Sequence, residues 1–183
     1  MLLDKNYETY SLKDSKNNLI DIKLSQYLLN YKKNGIYLDI NCKDGITNNN
    51  TYLMEKKYDW KGILIESSPN LINLLIKNRS SKNIYVNDII YNYQKLIDKY
   101  NIKEIDFLNI DTDDNKFDFL QSINMTLCKP KYIFIKIYNN ELENICRYLC
   151  NYYNMIGNIS DYNTYDNPEW KCTYNYYLFY TFW

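Results

Sequence analysis

The sequence predicts an α/β fold: a mostly parallel central sheet, helices on both faces, and an antiparallel edge strand at the C-terminal end. Three observations lead there. Short β-branched and aromatic runs alternate with amphipathic stretches of about ten residues, the pattern of βαβ units. Right-handed crossovers between such units place helices on both sides of the sheet. The last two strand-like runs have no helix pattern between them, which suits an antiparallel closure.

Taken in order, the elements are these. The opening is polar, and then Ile20, Leu24, Tyr27, Leu28 and Tyr31 recur at helical spacing. Gly35 follows Lys32, Lys33 and Asn34, a stop signal. Residues 1–34 therefore read as an N-terminal helical segment and 35–183 as the core of one domain. "GIYLDI" is the first strand. "NNNTYLMEKKY" is a helix with Asn48 or Asn49 near its start. "KGILIE" is the second strand, and "SPNLINLLIKN" a helix capped by Ser68 with Pro69 at its first position. "NIYVND", "EIDFLNI" and "KYIFIKIY" are further strands, separated by helices in "YNYQKLIDKY" and "NKFDFLQSI". "NELENICRYLCNYY" is the last helix. "YNMIGNIS" and "YNYYLFYTFW" form the closure, with a loop at "NPEW", Asn167 to Trp170, before the final strand.

Composition narrows the chemistry. The 22 basic and 22 acidic residues balance, which gives no reason to expect a nucleic-acid coat or an anionic membrane partner. Lysine supplies almost all the positive charge; the arginines are Arg79 and Arg147, so bidentate phosphate recognition is poorly provided for. Tyr reaches 22, Asn, Ile and Lys abound and Ala is absent, a bias towards A/T-rich codons expected of a giant virus, a protist or a reduced symbiont. His is zero, so proton transfer falls to Asp, Glu, Lys, Tyr or Cys. The five cysteines form no C-x-x-C pair, and no metal centre is expected. Their odd number and the lack of a leader pattern suit a reducing cytoplasm, the host's if the chain is viral. No apolar run approaches the roughly 20 residues of a membrane span.

In an open parallel sheet, ligands bind beyond the carboxyl ends of the strands. Here those ends are acidic or polar: Asp39 and Asn41, then Glu66 and Ser67, then Asn87 and Asp88, then Asp111, with Lys136 near the end of the fifth strand. A carboxylate such as Glu66 can accept from both hydroxyls of a ribose. Asn87 or Asp88 can meet an adenine amino group. Asp39 and Asp44 suit the cationic end of a ligand, with Gly45 closing the turn "YLDINCKDG". No G-x-G-x-x-G and no GK[ST] is present to cradle phosphates. A phosphate-free adenosine carrying a sulfonium fits best, which is S-adenosylmethionine.

With those residues in view, the chain resembles the FkbM-type methyltransferases. Asp39, Ile40, Asp44, Gly45, Asn50, Thr51, Glu55, Trp60, Lys61, Gly62, Glu66, Pro69, Asn78 and Arg79 match that family's first-half motifs in order. "IDFLNIDTDDNKFDFLQSI" and "KPKYIFIKIYN" are similar to its later ones, so the likeness spans roughly residues 24 to 140. It implies a Rossmann-like fold, S-adenosylmethionine, and methylation of a sugar or small-molecule hydroxyl. The chain departs from the pattern at Asn41, where the family has glycine, at Asp113-Asp114, where it has Glu-Gly, and at Lys136, where it has an acid.

The expected reaction is an in-line methyl transfer in which the protein aligns the hydroxyl and excludes water. Asp111 or Asp113 is the candidate base, because clustered acids raise one another's pKa. Lys136 is expected to pair with Asp111 or stabilise an oxyanion. Two further readings remain. A catalytically silent relative is favoured by Asn41 and Asp114, and an RNA ribose 2′-O-methyltransferase by the Lys–Asp arrangement.

Overall fold

A computed structural model describes residues 12–28, 32–89, 92–113, 115–162 and 174–181. "NPEW", Asp114 and Tyr31 lie outside the described residues. The chain runs α1 (Ile20–Leu28), β1 (Ile36–Ile40), α2 (Tyr52–Tyr58), β2 (Lys61–Ile65), α3 (Pro69–Asn78), β3 (Ile84–Val86), α4 (Tyr93–Lys99), β4 (Phe107–Ile110), α5 (Lys116–Gln121), β5 (Tyr132–Tyr138), α6 (Leu142–Leu149), β6 (Tyr153–Asn158) and β7 (Tyr174–Thr181). One seven-stranded sheet takes the order β3-β2-β1-β4-β5-β7-β6. The first five strands in that order are parallel. β7 pairs antiparallel with both β5 and β6. The antiparallel closure is present, but its outer strand is β6; the C-terminal strand lies one place in.

Local chemistry sets the element ends. Ser68 accepts from Leu71 N–H and Pro69 opens α3, as its sequence requires. Asn92 caps α4 through Lys95 N–H. α2 starts later than the first asparagines of its pattern. Asn48 holds a left-handed φ of 54°, and the Asn49 side chain accepts from the N–H groups of Thr51 and Tyr52. The asparagines therefore end the preceding turn and leave the helix to begin at Tyr52.

Strand alternation sorts the core into two layers. Leu38, Ile40, Ile63, Ile65, Leu108 and Ile110 pack against α4, α5 and α6. Tyr37, Leu64, Phe107 and Phe134 pack against α1, α2 and α3. Gly62 is required where β2 meets β1, since a Cβ there would stand 2.1 Å from the Tyr37 carbonyl oxygen. β1 leads one way to β2 and β3, and the chain then returns to place β4 on β1's other side. The crevice at this switch in strand order lies beyond Ile40 and Ile110. Among the described residues no helix is long and apolar enough to cross a membrane.

Candidate functional site

A cleft of about 300 Å³ opens at the carboxyl ends of β1, β2 and β4. Its floor is apolar, from Ile40, Ile65, Ile110 and the α5 residue Phe119. Asn41, Ser67, Asp88, Thr112 and Asp113 supply its polar rim. That volume and mixture are those of a small-ligand site. The cleft lies on the α4–α6 side, where the even-numbered residues of β1 and β4 point.

Asp39 points the other way and is wholly buried. Its Oδ1 accepts from Asn109 Nδ2 at 2.6 Å; its Oδ2 accepts from Thr51 Oγ1 at 2.7 Å and Asn49 Nδ2 at 3.1 Å. The acid thus anchors the loop after β1 to β4. Beneath that loop lies a larger polar cluster. The Arg79 guanidinium, wholly buried in its side chain, pairs with Glu55 at 2.9 Å. It also donates to the Gly45 carbonyl, Asn49 Oδ1, Tyr37 Oη and Thr51 Oγ1. Burial pushes the Glu55 carboxyl up, but Arg79 together with bonds from Asn83 and the Ser80 N–H outweighs it and holds Glu55 below its ordinary value. Gly45, at φ 78°, sits so tightly here that a Cβ would stand 2.4 Å from Leu75 Cδ1.

Asp44 is a turn-maker. It accepts from Ile46 N–H, Thr47 N–H and the Thr47 hydroxyl. Burial acts to raise its pKa, and these bonds reverse the shift. Glu66 is 2% exposed. Its Oε2 accepts from Lys43 N–H at 2.8 Å and its Oε1 from Ser68 N–H at 2.9 Å. Asn87 donates to the carbonyls of Glu66 and Ser67, tying the end of β3 to the loop after β2. Asp88 lines the cleft and accepts from Ile89 N–H.

Asn41 takes the left-handed conformation a glycine would otherwise supply, with φ 65°. Its amide nitrogen donates to the Asp111 carbonyl at 2.7 Å, so the side chain spans the gap between the ends of β1 and β4. Asp111 shares a strand face with Phe107 and Asn109, opposite the cleft floor. It is 7% exposed and accepts from Tyr176 Oη at 2.7 Å. Desolvation raises its pKa; the Tyr176 bond, Lys43 and Lys136 offset this only in part, and Asp39 adds to it. Lys43 Nζ stands 3.7 Å from Asp111 Oδ2. Lys136 pairs with Asp113 at 2.6 Å, rather than with Asp111 as the sequence suggested, and lies over the Tyr174 ring at 4.3 Å. The Lys136 bond, joined by one from Tyr138, holds Asp113 below its ordinary value.

The candidate residues thus fall into three groups. Asn41, Ser67, Asp88 and Asp113 line the cleft; Asp39, Asp44, Gly45, Glu66 and Asn87 brace the loops around it. Asp111 and Lys136 stand beside it. Lys43, Tyr176 and Arg79 were not picked out as site residues. Lys43 carries the one positive charge within "YLDINCKDG", a usable signal. Tyr176 had none, because only the pairing of Lys136 with Tyr176 across β5 and β7 brings it to Asp111.

No family model matches the chain, and neither does the sequence of any curated protein. Solved structures do. An rRNA methylase from Streptococcus thermophilus superposes with a TM-score of 0.61 at 12% identity, over 89% of this chain and 94% of its own. Precorrin-6y C5,15-methyltransferase from Geobacter metallireducens GS-15 gives 0.56 at 11% identity, over 97% and 94%. The methyltransferase domain of METTL16 gives 0.59 at 11% identity, over 89% and 66%. The fold is therefore the Rossmann-like methyltransferase fold, in its mostly parallel form with an antiparallel pair at one edge. An rRNA methylase and a precorrin methyltransferase share it, so the architecture leaves the substrate open.

Proposed function

We propose that the protein is an S-adenosylmethionine-dependent methyltransferase, a relative of the FkbM type, acting on a hydroxyl of a sugar or other small molecule. The observation that carries this reading is Asp111. It is a desolvated carboxylate at the end of β4, beside an adenosine-sized cleft, with its proton affinity raised.

The cleft suits the cofactor's chemistry. An apolar floor suits a purine, and Ser67 and Asp88 offer polar contacts around it. Glu66 suits a ribose diol once Lys43 N–H leaves it. No arginine lines the cleft to take a phosphate: Arg79 pairs with Glu55 beneath the loop after β1, and Arg147 lies beside Glu143 on α6. When bound, the cofactor supplies an electrophilic methyl on a sulfonium. Asp111 then accepts the acceptor hydroxyl's proton, held in orientation by Tyr176, while Asp113 and Lys136 form the adjoining wall. Lys43 and Lys136 near Asp111 also suit a ribose 2′-hydroxyl in RNA. Salt-dependent oligonucleotide binding tests that acceptor, and its absence removes it.

Two observations favour a silent relative. Asn41 bridges β1 to β4, and Lys43 N–H holds Glu66, so the protein's own groups occupy positions a ligand would use. Calorimetry with S-adenosylmethionine separates the two. Micromolar binding that is lost in Asp88→Ala supports the enzyme. No binding at millimolar cofactor, recovered in Asn41→Gly, supports the silent relative.

A further inference from the structure

Away from the cleft, three sulfur atoms converge at the far edge of the sheet. Cys146 lies in the last turn of α6, and Cys150 follows at the C-cap in right-handed helical geometry, its N–H donating to the Cys146 carbonyl. Four residues apart on one helix, the two thiols share a face. Burial, and then the neighbouring Cys150, push the Cys146 thiol above its ordinary value. The third sulfur comes from β6. Tyr153 is buried in the core layer that packs against α6, so Met155, two residues on, points to the same side. Its Sδ stands 4.0 Å from Cys146 Sγ. A β-bulge follows at once, between Met155 and Gly157, and the Met155 side chain is about half exposed.

We propose that Cys146, Cys150 and Met155 form a binding site for a thiophilic monovalent cation, copper(I). The inference is independent of the cofactor reading, since none of the three lines the cleft. Thiolate and thioether are the donors that select copper(I) over harder ions. Two sulfurs bonded at about 2.3 Å to one three-coordinate ion stand roughly 4 Å apart, the separation that Cys146 and Met155 already have. Zinc fits the set poorly: it takes four donors, usually thiolate, imidazole or carboxylate, and the chain has no His. Among the described residues no three His, Cys, Asp or Glu side chains gather to hold a metal ion, so the site depends on the methionine. No C-x-x-C pair announces it, because the third donor comes from a strand and not from the helix. Cys150 and Met155 are exposed, so the ion enters from solvent without opening the core. On binding, the two S–H protons pass to solvent, two copper–thiolate bonds and one dative thioether bond form, and copper stays in its +1 state.

Competition with a coloured copper(I) chelator tests this. Copper(I) held by bicinchoninate is titrated, without oxygen, with the whole reduced protein. The expected result is withdrawal of one equivalent of copper. Cys150→Ser, at an exposed position, and Cys146→Ser are each expected to lose at least about 100-fold in affinity, the upper end of what loss of a supporting contact alone costs. Met155→Leu keeps the side chain's bulk and is expected to lose at least about tenfold. Cys172→Ser, outside the described residues, is expected to bind as the wild type does. Failure of the wild type to withdraw copper, or an unchanged affinity in Met155→Leu, overturns the three-sulfur site. So does a loss in Cys172→Ser equal to that in Cys150→Ser. Zinc(II) held as tightly as copper(I) overturns the assignment to a soft monovalent ion.

Discussion

Two polar clusters flank the loop after β1, and they are built on opposite plans. The cluster around Arg79 is closed. Its charges pair, its hydroxyls and amides bond one another, and burial excludes water from it. The cluster around Asp111 is open. Its acid has one strong hydrogen bond and a loose ion pair, and its lysines and Asp113 reach solvent to differing degrees. A closed cluster fixes geometry, because every group in it already has a partner. An open one keeps capacity for a ligand or a proton.

The comparison can be broken most decisively at Arg79. Arg79→Met leaves Glu55 buried and unpaired and is expected to destabilise the protein by about 3–5 kcal/mol, read from urea unfolding. Because Glu55 titrates below its ordinary value in the fold, its contribution is present above the unfolded value and is lost as pH falls through the folded one. Glu55→Gln should therefore flatten the acid side of the stability–pH curve. A variant at Arg79 that unfolds no more easily than wild type would show that the cluster fixes nothing.

Gly45→Ala tests the same cluster from above. The left-handed backbone and the overlap with Leu75 together predict a loss of about 2–4 kcal/mol in thermal or chemical unfolding. Asp111→Asn tests the open cluster and should act in the opposite sense on stability. The acid's folded pKa is raised, so its cost appears as pH rises from the unfolded value through the folded one. The amide removes that cost and should gain on the order of 1 kcal/mol at neutral pH, while methyl transfer falls at least about 100-fold. Asn41→Gly is the smallest change. Relief of the left-handed side chain and loss of its bond to the Asp111 carbonyl roughly cancel, leaving stability within about 1 kcal/mol. Its readout is cofactor affinity, which should rise as the bridge goes.

Much of the sheet was legible because its signals are local. "SPNLINLLIKN" carries its own cap and its own start, and the acids fall where strand patterns end. The candidate site was legible in its positions and less so in its contacts. A strand-end acid looks the same in sequence whatever it faces, so the bonds that Asp39 and Glu66 make within the fold had no signal of their own. Asn49 and Ser68, which bond them, announce themselves only as helix-start and cap residues, and Thr51 only as a motif match. Nor could alternation in "YNYYLFYTFW" reveal that Tyr176 would lie beside Lys136, because register across a long connection has no local signature.

Inserting β7 between β5 and β6 has a temporal consequence. During synthesis the parallel strands and their helices emerge first, and β7 is the last described strand to arrive. Until it slots in, β5 and β6 face an empty lane, and Asp111 lacks the tyrosine that holds it. The parallel scaffold can thus assemble before the wall around Asp111 is complete.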